Sequence, residues 1–106
     1  MNKKFLEVYN LTKQIPNGKI STYKEIAKSL GNKNLVRIVG YILSKNTDRI
    51  NIPCHRVIRS NGEIGGYTSK NGTNEKIDIL RSEGIKIIDK KVVDLDVYLF
   101  KQFKIA

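Results

Sequence analysis

The 106 residues carry 20 Lys and Arg against 10 Asp and Glu, a formal charge of +10, and 40% of them are apolar. That is enough chain for one compact domain over residues 1–106 with a modest core, and too little for two. No apolar run approaches a membrane span, the start lacks the apolar stretch of a secretory leader, and a lone cysteine excludes both an internal disulfide and a cysteine-built zinc site.

The charge excess favours a polyanionic partner held by salt-sensitive contacts, with nucleic acid ahead of a membrane surface. No segment joins a basic face to a broad aromatic one, as a membrane-surface helix would. The expectation is an intracellular monomer, cytoplasmic or, in a eukaryote, nuclear, with no membrane contact.

Phe5, Val8, Leu11 and Ile15 recur at helical spacing and predict an amphipathic helix over 3–14. Pro16-Asn17-Gly18 ends it in a turn. Thr22 with Glu25 three residues later reads as a capping box opening a short helix, with Ile26, Ala27 and Leu30 inward and Gly31 as the stop. A third helix is predicted from Lys33 to Lys45, with Leu35, Val39, Ile42 and Leu43 on its apolar face. Two helices joined by Gly31-Asn32 suggest a helix-turn-helix, and Lys33, Arg37 and Lys45 fall off the apolar face of the second.

Beyond Asn46, Ile50-Asn51-Ile52 alternates like a short strand and stops at Pro53. Val57-Ile58 and Ile64 flank Ser60-Asn61-Gly62, a hairpin signal. Gly65-Gly66-Tyr67 and Thr68 to Asn74 read as a loop, and a further helix is predicted from Glu75 to Ser82, closed by Gly84. The tail from Ile85 gathers Val97, Tyr98, Leu99, Phe100 and Phe103, and its pattern fits strand or short helix equally. The expected class is mostly α with a small β-hairpin, a winged-helix-like arrangement.

The chemistry concentrates at Ile52-Pro53-Cys54-His55-Arg56-Val57. A thiolate is a strong nucleophile, and a neighbouring base or cation raises its population. Adjacency of His55 does not establish contact, since neighbours on a strand face opposite ways. Residue chemistry alone leaves Cys54 open between a nucleophile and a small buried hydrophobe.

The run PCHRV followed by IRSNGEIGGY, with GKISTYKEIAKSLG and NLVRIVGYILSKN upstream and LRSEG downstream, resembles the O6-alkylguanine-DNA alkyltransferases, also called methylated-DNA–protein-cysteine methyltransferases. The resemblance covers nearly the whole chain and implies the family's catalytic domain. It implies single-use transfer of an alkyl group from O6-alkylguanine, with O4-alkylthymine as a second candidate, to Cys54. The partner would be double-stranded DNA containing the lesion, bound through the minor groove, with the damaged nucleotide flipped out. No cofactor and no metal would be required.

The roles the resemblance implies fall on particular positions. Cys54 accepts the alkyl group, while His55 and Glu83 form a relay that removes its proton through water. Thr22 and Tyr23 contact DNA, Tyr23 pressing on the phosphate beside the lesion and donating a proton to the leaving guanine. Arg37 fills the vacated place in the base stack, and Gly40 permits close approach. Asn46 ties the recognition helix to the active-site turn. Pro53, Tyr67 and Thr68 line the substrate pocket, and Lys76 matches a lysine near the active-site loop.

Two departures stand out. The chain begins at the first helix of the catalytic domain, so the N-terminal domain of many members is expected to be absent. Thr47-Asp48-Arg49 lacks the proline some relatives place before the active-site strand. Two rival readings belong to other classes. One is a non-enzymatic sensor of alkylated DNA, like alkyltransferase-like proteins that carry another residue where Cys54 stands. The other is a small helix-turn-helix regulator with a reactive thiol, which would need a dimerisation face that the pattern lacks.

Overall fold

The computed structural model describes residues 2–67 and 71–105. In chain order it has α1 (Lys3–Thr12), β1 (Ser21–Thr22), α2 (Tyr23–Ser29), a 3-10 turn (Lys33–Leu35), α3 (Val36–Ser44), and a second 3-10 turn (Cys54–Arg56). Then follow β2 (Val57–Ile58), α4 (Gly72–Ser82), β3 (Ile87–Ile88), β4 (Lys91–Val92) and α5 (Leu95–Tyr98). Among the described residues no helix is long and apolar enough to cross a membrane.

The Asn2 side chain caps α1 by accepting from the Lys4 amide at 2.7 Å. The helix ends before the predicted residue 14, because the amides of Gln14 and Ile15 turn back to Leu11 and Thr12 in tighter bonds. Thr22 caps α2, its hydroxyl accepting from the Glu25 amide at 3.0 Å. Only half of the capping box forms, since the Glu25 carboxylate pairs with Lys28 at 3.4 Å and Thr22 itself lies in β1. Gly31 takes the left-handed conformation at φ 95° that ends α2. The next helix opens as a 3-10 turn capped by Asn32, then runs as α3.

Two apolar clusters share the interior. The first joins Val8, Leu11 and Ile15 to Ile26, Ala27, Val39, Ile42 and Leu43, with Cys54 and Val57 at its edge. The Tyr9 hydroxyl crosses from α1 to α3 and donates to the Ile42 carbonyl at 2.9 Å, a bond worth about 1 kcal/mol. The second cluster holds Ile20, Ile58, Ile64, Ile77, Leu80, Ile85, Ile87 and Val92. Strand β2 divides them: Val57 faces the first and Ile58 the second, as alternation requires. Cys54–Arg56 immediately precedes this strand, and Cys54 packs with the first cluster.

The predicted hairpin forms only its tip. The Arg59 amide donates to the Glu63 carbonyl at 3.0 Å and the Gly62 amide returns to Arg59 at 2.9 Å, with Gly62 at φ 92°. This is a tight reversal of the bulged kind, but its arms separate. Val57-Ile58 pairs in parallel with Ser21-Thr22, and Ile64 bonds to the Lys90 carbonyl. The hairpin of the fold is instead β3–β4, antiparallel, turning at Asp89 and Lys90, both at positive φ (51° and 62°). Two successive left-handed residues suit the primed turns that match strand twist. The tail thus resolves into a hairpin, the short α5, and an extended end. There Leu99 bridges Ile20 and the Phe100 amide donates to the Ile20 carbonyl at 2.7 Å.

Two further expectations change. The fourth helix begins at Gly72 rather than Glu75, shortening the expected loop. Residues 50–52 form no strand, because Asp48 winds them into a turn: its carbonyl accepts from the Ile52 amide at 3.0 Å and its carboxylate accepts from Asn51. The bonds from Asn51 hold the Asp48 carboxyl below its ordinary range. Ile50 is left 93% exposed at the turn's tip.

Candidate active site and candidate nucleic-acid interface

Cys54 owes its position to the residue before it. Pro53, at φ −77° and ψ 68°, centres an inverse γ-turn in which the Cys54 amide donates to the Ile52 carbonyl at 2.8 Å. Asn46 fixes the same turn from the end of α3, its side-chain amide donating to the Ile52 carbonyl at 2.9 Å while its oxygen accepts from the Asp48 amide at 3.0 Å. The thiol is 6% exposed. It lies on the wall of a cavity of about 260 Å³ shared with Tyr23, Leu43, Ser44, Gly66 and Tyr67.

His55 and Glu83 meet across 28 residues of chain, Nε2 of the ring lying 3.0 Å from the carboxylate. Burial acts to raise the Glu83 carboxyl, but hydrogen bonds and charge from Arg56 and His55 outweigh it and hold the group below its ordinary value. Glu83 is therefore ionised at neutral pH, and Nε2–H must be the donor. The remaining lone pair is on Nδ1, which makes that atom the base. Burial also lowers His55 against the pull of Glu83, so the ring is neutral and able to accept a proton.

Arg56 clamps the other side of the carboxylate. Its Nε and Nη2 donate to the two Glu83 oxygens at 2.9 and 2.8 Å, and Nη1 donates to the Ile15 carbonyl at 2.9 Å. This fork explains how a carboxylate sits at the C-terminal end of α4, where the helix dipole opposes it.

Lys76 is 1% exposed, a buried ammonium site under the pocket. Its Nζ donates to the Val57 carbonyl at 2.7 Å and the Gly66 carbonyl at 3.2 Å, and it lies 5.8 Å from the Tyr23 ring centre. Burial pushes its pKa down to about 7, opposed by the negative charge Cys54 carries when ionised. Burial likewise raises Tyr23, reinforced by Cys54, so its phenol keeps its proton at neutral pH. The Tyr67 ring walls the pocket, with the Arg49 guanidinium 5.4 Å from its centre.

Of the remaining expected residues, Thr22 caps α2 from β1, Tyr23 opens α2, and Arg37 and Gly40 lie on α3. Thr22 is buried and spends its hydroxyl on the helix cap, so what it visibly does is start α2 and orient Tyr23. Tyr23 separates the Cys54 pocket from an outer groove lined by Lys24, Val36, Gly40, Arg59, Ser60 and Asn61. Arg37 is exposed on α3. A Cβ placed on Gly40 would meet nothing within 4 Å, so no protein neighbour requires glycine there. Thr68 lies outside the described residues. Among the described residues no cluster of three or more His, Cys, Asp or Glu could hold a metal ion.

Residues 4–85 match the family described as 6-O-methylguanine DNA methyltransferase, DNA binding domain. The chain belongs to this family. Among methyltransferase relatives, it is 50% identical over 82 residues to the methylated-DNA–protein-cysteine methyltransferase of Saccharolobus islandicus, covering 77% of this chain and 51% of that protein. It is 45% identical over 96 residues to a bifunctional methyltransferase/endonuclease of Picrophilus torridus, covering 91% of this chain but 31% of that one. The chain thus spans about half the length, or less, of these relatives.

Among solved structures, S. pombe Atl1 in complex with damaged DNA containing O6-carboxymethylguanine superposes with a TM-score of 0.84 at 32% identity, covering 95% of this chain and 97% of that one. Mycobacterium tuberculosis OGT in complex with DNA gives 0.74 at 33% identity, covering 79% and 50%. The methyltransferase fold with its helix-turn-helix is therefore the fold of this chain.

Arg56 is a site residue that sequence reasoning passed over, as are Leu43, Ser44 and Gly66 on the cavity wall. Arg56 sits inside PCHRV, but nothing local says that it reaches Glu83, 27 positions away. The one available signal was Glu83 at a helix C-terminus, an unfavourable place for a carboxylate without a cation nearby.

Proposed function

We propose that this chain reverses alkylation of guanine in DNA by accepting the alkyl group irreversibly on Cys54. The observations that support the reading are Cys54 on a cavity wall and, next to it in the chain, a neutral His55 whose Nε2 is committed to Glu83. In this reading Nδ1 of His55 takes the Cys54 proton through a water. The sulfur then attacks the carbon bound to guanine O6. The S–C bond forms, the C–O6 bond breaks, and the electron pair goes to the guanine, which takes a proton from the Tyr23 hydroxyl. The product is a thioether, which does not hydrolyse, so each molecule reacts once.

The damaged base reaches the pocket by leaving the duplex. Extrusion costs a few kcal/mol, offset when a side chain fills the gap. Arg37 on the exposed face of α3 is the filling group, and Gly40 lets the helix approach the backbone. Tyr23, standing between groove and pocket, guides the nucleotide across. Asn46 and Pro53 hold the Cys54 turn, and Tyr67 closes the wall.

The likeness to Atl1 along nearly the full length of both chains favours a second reading, a sensor that holds alkylated DNA without transfer. Intact mass after incubation with an O6-methylguanine duplex separates the two. The transferase reading expects a gain of one methylene equivalent, mapped to Cys54 and absent in Cys54→Ala. Tight lesion binding with unchanged mass would establish the sensor instead.

A further inference from the structure

We propose that Tyr41 is a DNA-contacting residue that works beside Arg37, packing on the deoxyribose–phosphate wall of the groove and donating its hydroxyl to a backbone oxygen. The inference rests on the reading of α3 as the DNA-facing helix and adds to it a residue that this reading does not use. Tyr41 follows Arg37 by one helical turn, so both point the same way from α3. Its ring is 58% exposed although large and aromatic, and Val36 and Ile38 on the same helix are 38% and 45% exposed. The core does not use this face; the inward residues of α3 are Val39, Ile42 and Leu43.

The exposed ring is nonetheless held. Its inner edge meets Phe5 of α1 at 6.3 Å and 85°, and Phe5 meets Tyr9 at 6.1 Å and 89°. Tyr9 in turn is bonded to the Ile42 carbonyl. An edge-to-face ladder therefore runs from the core to the surface and ends at Tyr41. Lys45 Nζ lies 5.3 Å from the Tyr41 ring centre, which sets a cation beside the aromatic. Among the described residues nothing accepts from the Tyr41 hydroxyl. An exposed ring packed on Phe5 with a free donor, rimmed by Arg37 and Lys45, fits a surface with apolar sugars and anionic phosphates. An exposed aromatic at the centre of a cationic face also suits the apolar contacts that groove binders make. The absent side chain at Gly40, beside Tyr41, lets the wall come close enough to touch it.

The test uses the full chain in a Cys54→Ala background, so that no transfer occurs, and a short duplex with a central O6-methylguanine. Tyr41→Ala is expected to weaken binding about tenfold and Tyr41→Phe about threefold, with the salt dependence unchanged because no charge is altered. Arg37→Ala serves as the reference. Photolysis of a duplex with 5-iododeoxyuridine beside the lesion is expected to label the tryptic peptide 38–45, whose one aromatic residue is Tyr41. If Tyr41→Ala disturbs the fold, Tyr41→Phe and the crosslink decide. Wild-type affinity in both Tyr41 variants with no label on 38–45, while Arg37→Ala still weakens binding, overturns this contact and leaves the reading of α3 standing. If Arg37→Ala is also without effect, the reading of α3 fails with it.

Discussion

Replacing Glu83 by Gln removes the charge on which His55 and Arg56 converge while nearly keeping the shape. The native carboxylate accepts from His55 at 3.0 Å and from Arg56 at 2.9 and 2.8 Å, and the paired side chains are only 8–15% exposed. Removing one partner of a buried ion pair costs about 3–5 kcal/mol. Glutamine keeps one acceptor oxygen and Arg56 keeps the Ile15 carbonyl, so about 2–3 kcal/mol is expected here. For a domain of this size that lowers Tm by roughly 10–20 °C, measurable by calorimetry.

The pH dependence has a definite sign. Because Glu83 is held below its ordinary value, its contribution is complete above the usual carboxylate range and is lost as pH falls through the lowered folded value. The gap in stability between wild type and Glu83→Gln should therefore narrow on acidification. His55, lowered by burial against the pull of Glu83, would fall further without it. The rate of reaction with a free O6-alkylguanine should drop about 10–100-fold, with its acid limb moved to lower pH. A variant melting within about 2 °C of wild type and reacting at the wild-type rate would refute both the clamp and the relay.

Gly40→Ala separates stability from binding. The added methyl meets nothing in the protein, so α3 should gain about 0.5–1 kcal/mol and melt higher, while affinity for duplex DNA falls; equal or tighter binding would sink the proposed close approach. Lys76 supplies a test at alkaline pH. With its pKa pushed down to about 7, stability should rise from about pH 7 towards pH 10, where the unfolded lysine sheds its proton. In Lys76→Met, measured by urea unfolding in a Cys54→Ala background, that rise should vanish; persistence of the rise in the variant would assign it to another group.

Local pattern in the chain determined much of this protein. Helical spacing of apolar residues defined α1 to α3, because that periodicity reports which face is buried. Thr22 announced the start of α2 and Gly31 its end, since capping and left-handed backbone are properties of single residues. PCHRV marked the thiol, and the resemblance it carries named His55 and Glu83 as partners. Tertiary structure decided what depends on distant chain. Val57-Ile58 left the apparent hairpin for Ser21-Thr22, because alternate faces of one strand had to fill two separate cores. The hairpin moved to Asp89-Lys90, whose positive φ no glycine signals in the sequence. Arg56 reached Glu83, and Lys76 was buried under the pocket by carbonyls supplied from β2 and the Gly66 loop. Such pairings are set by packing between segments far apart in the chain, and periodicity within any one segment carries no record of them.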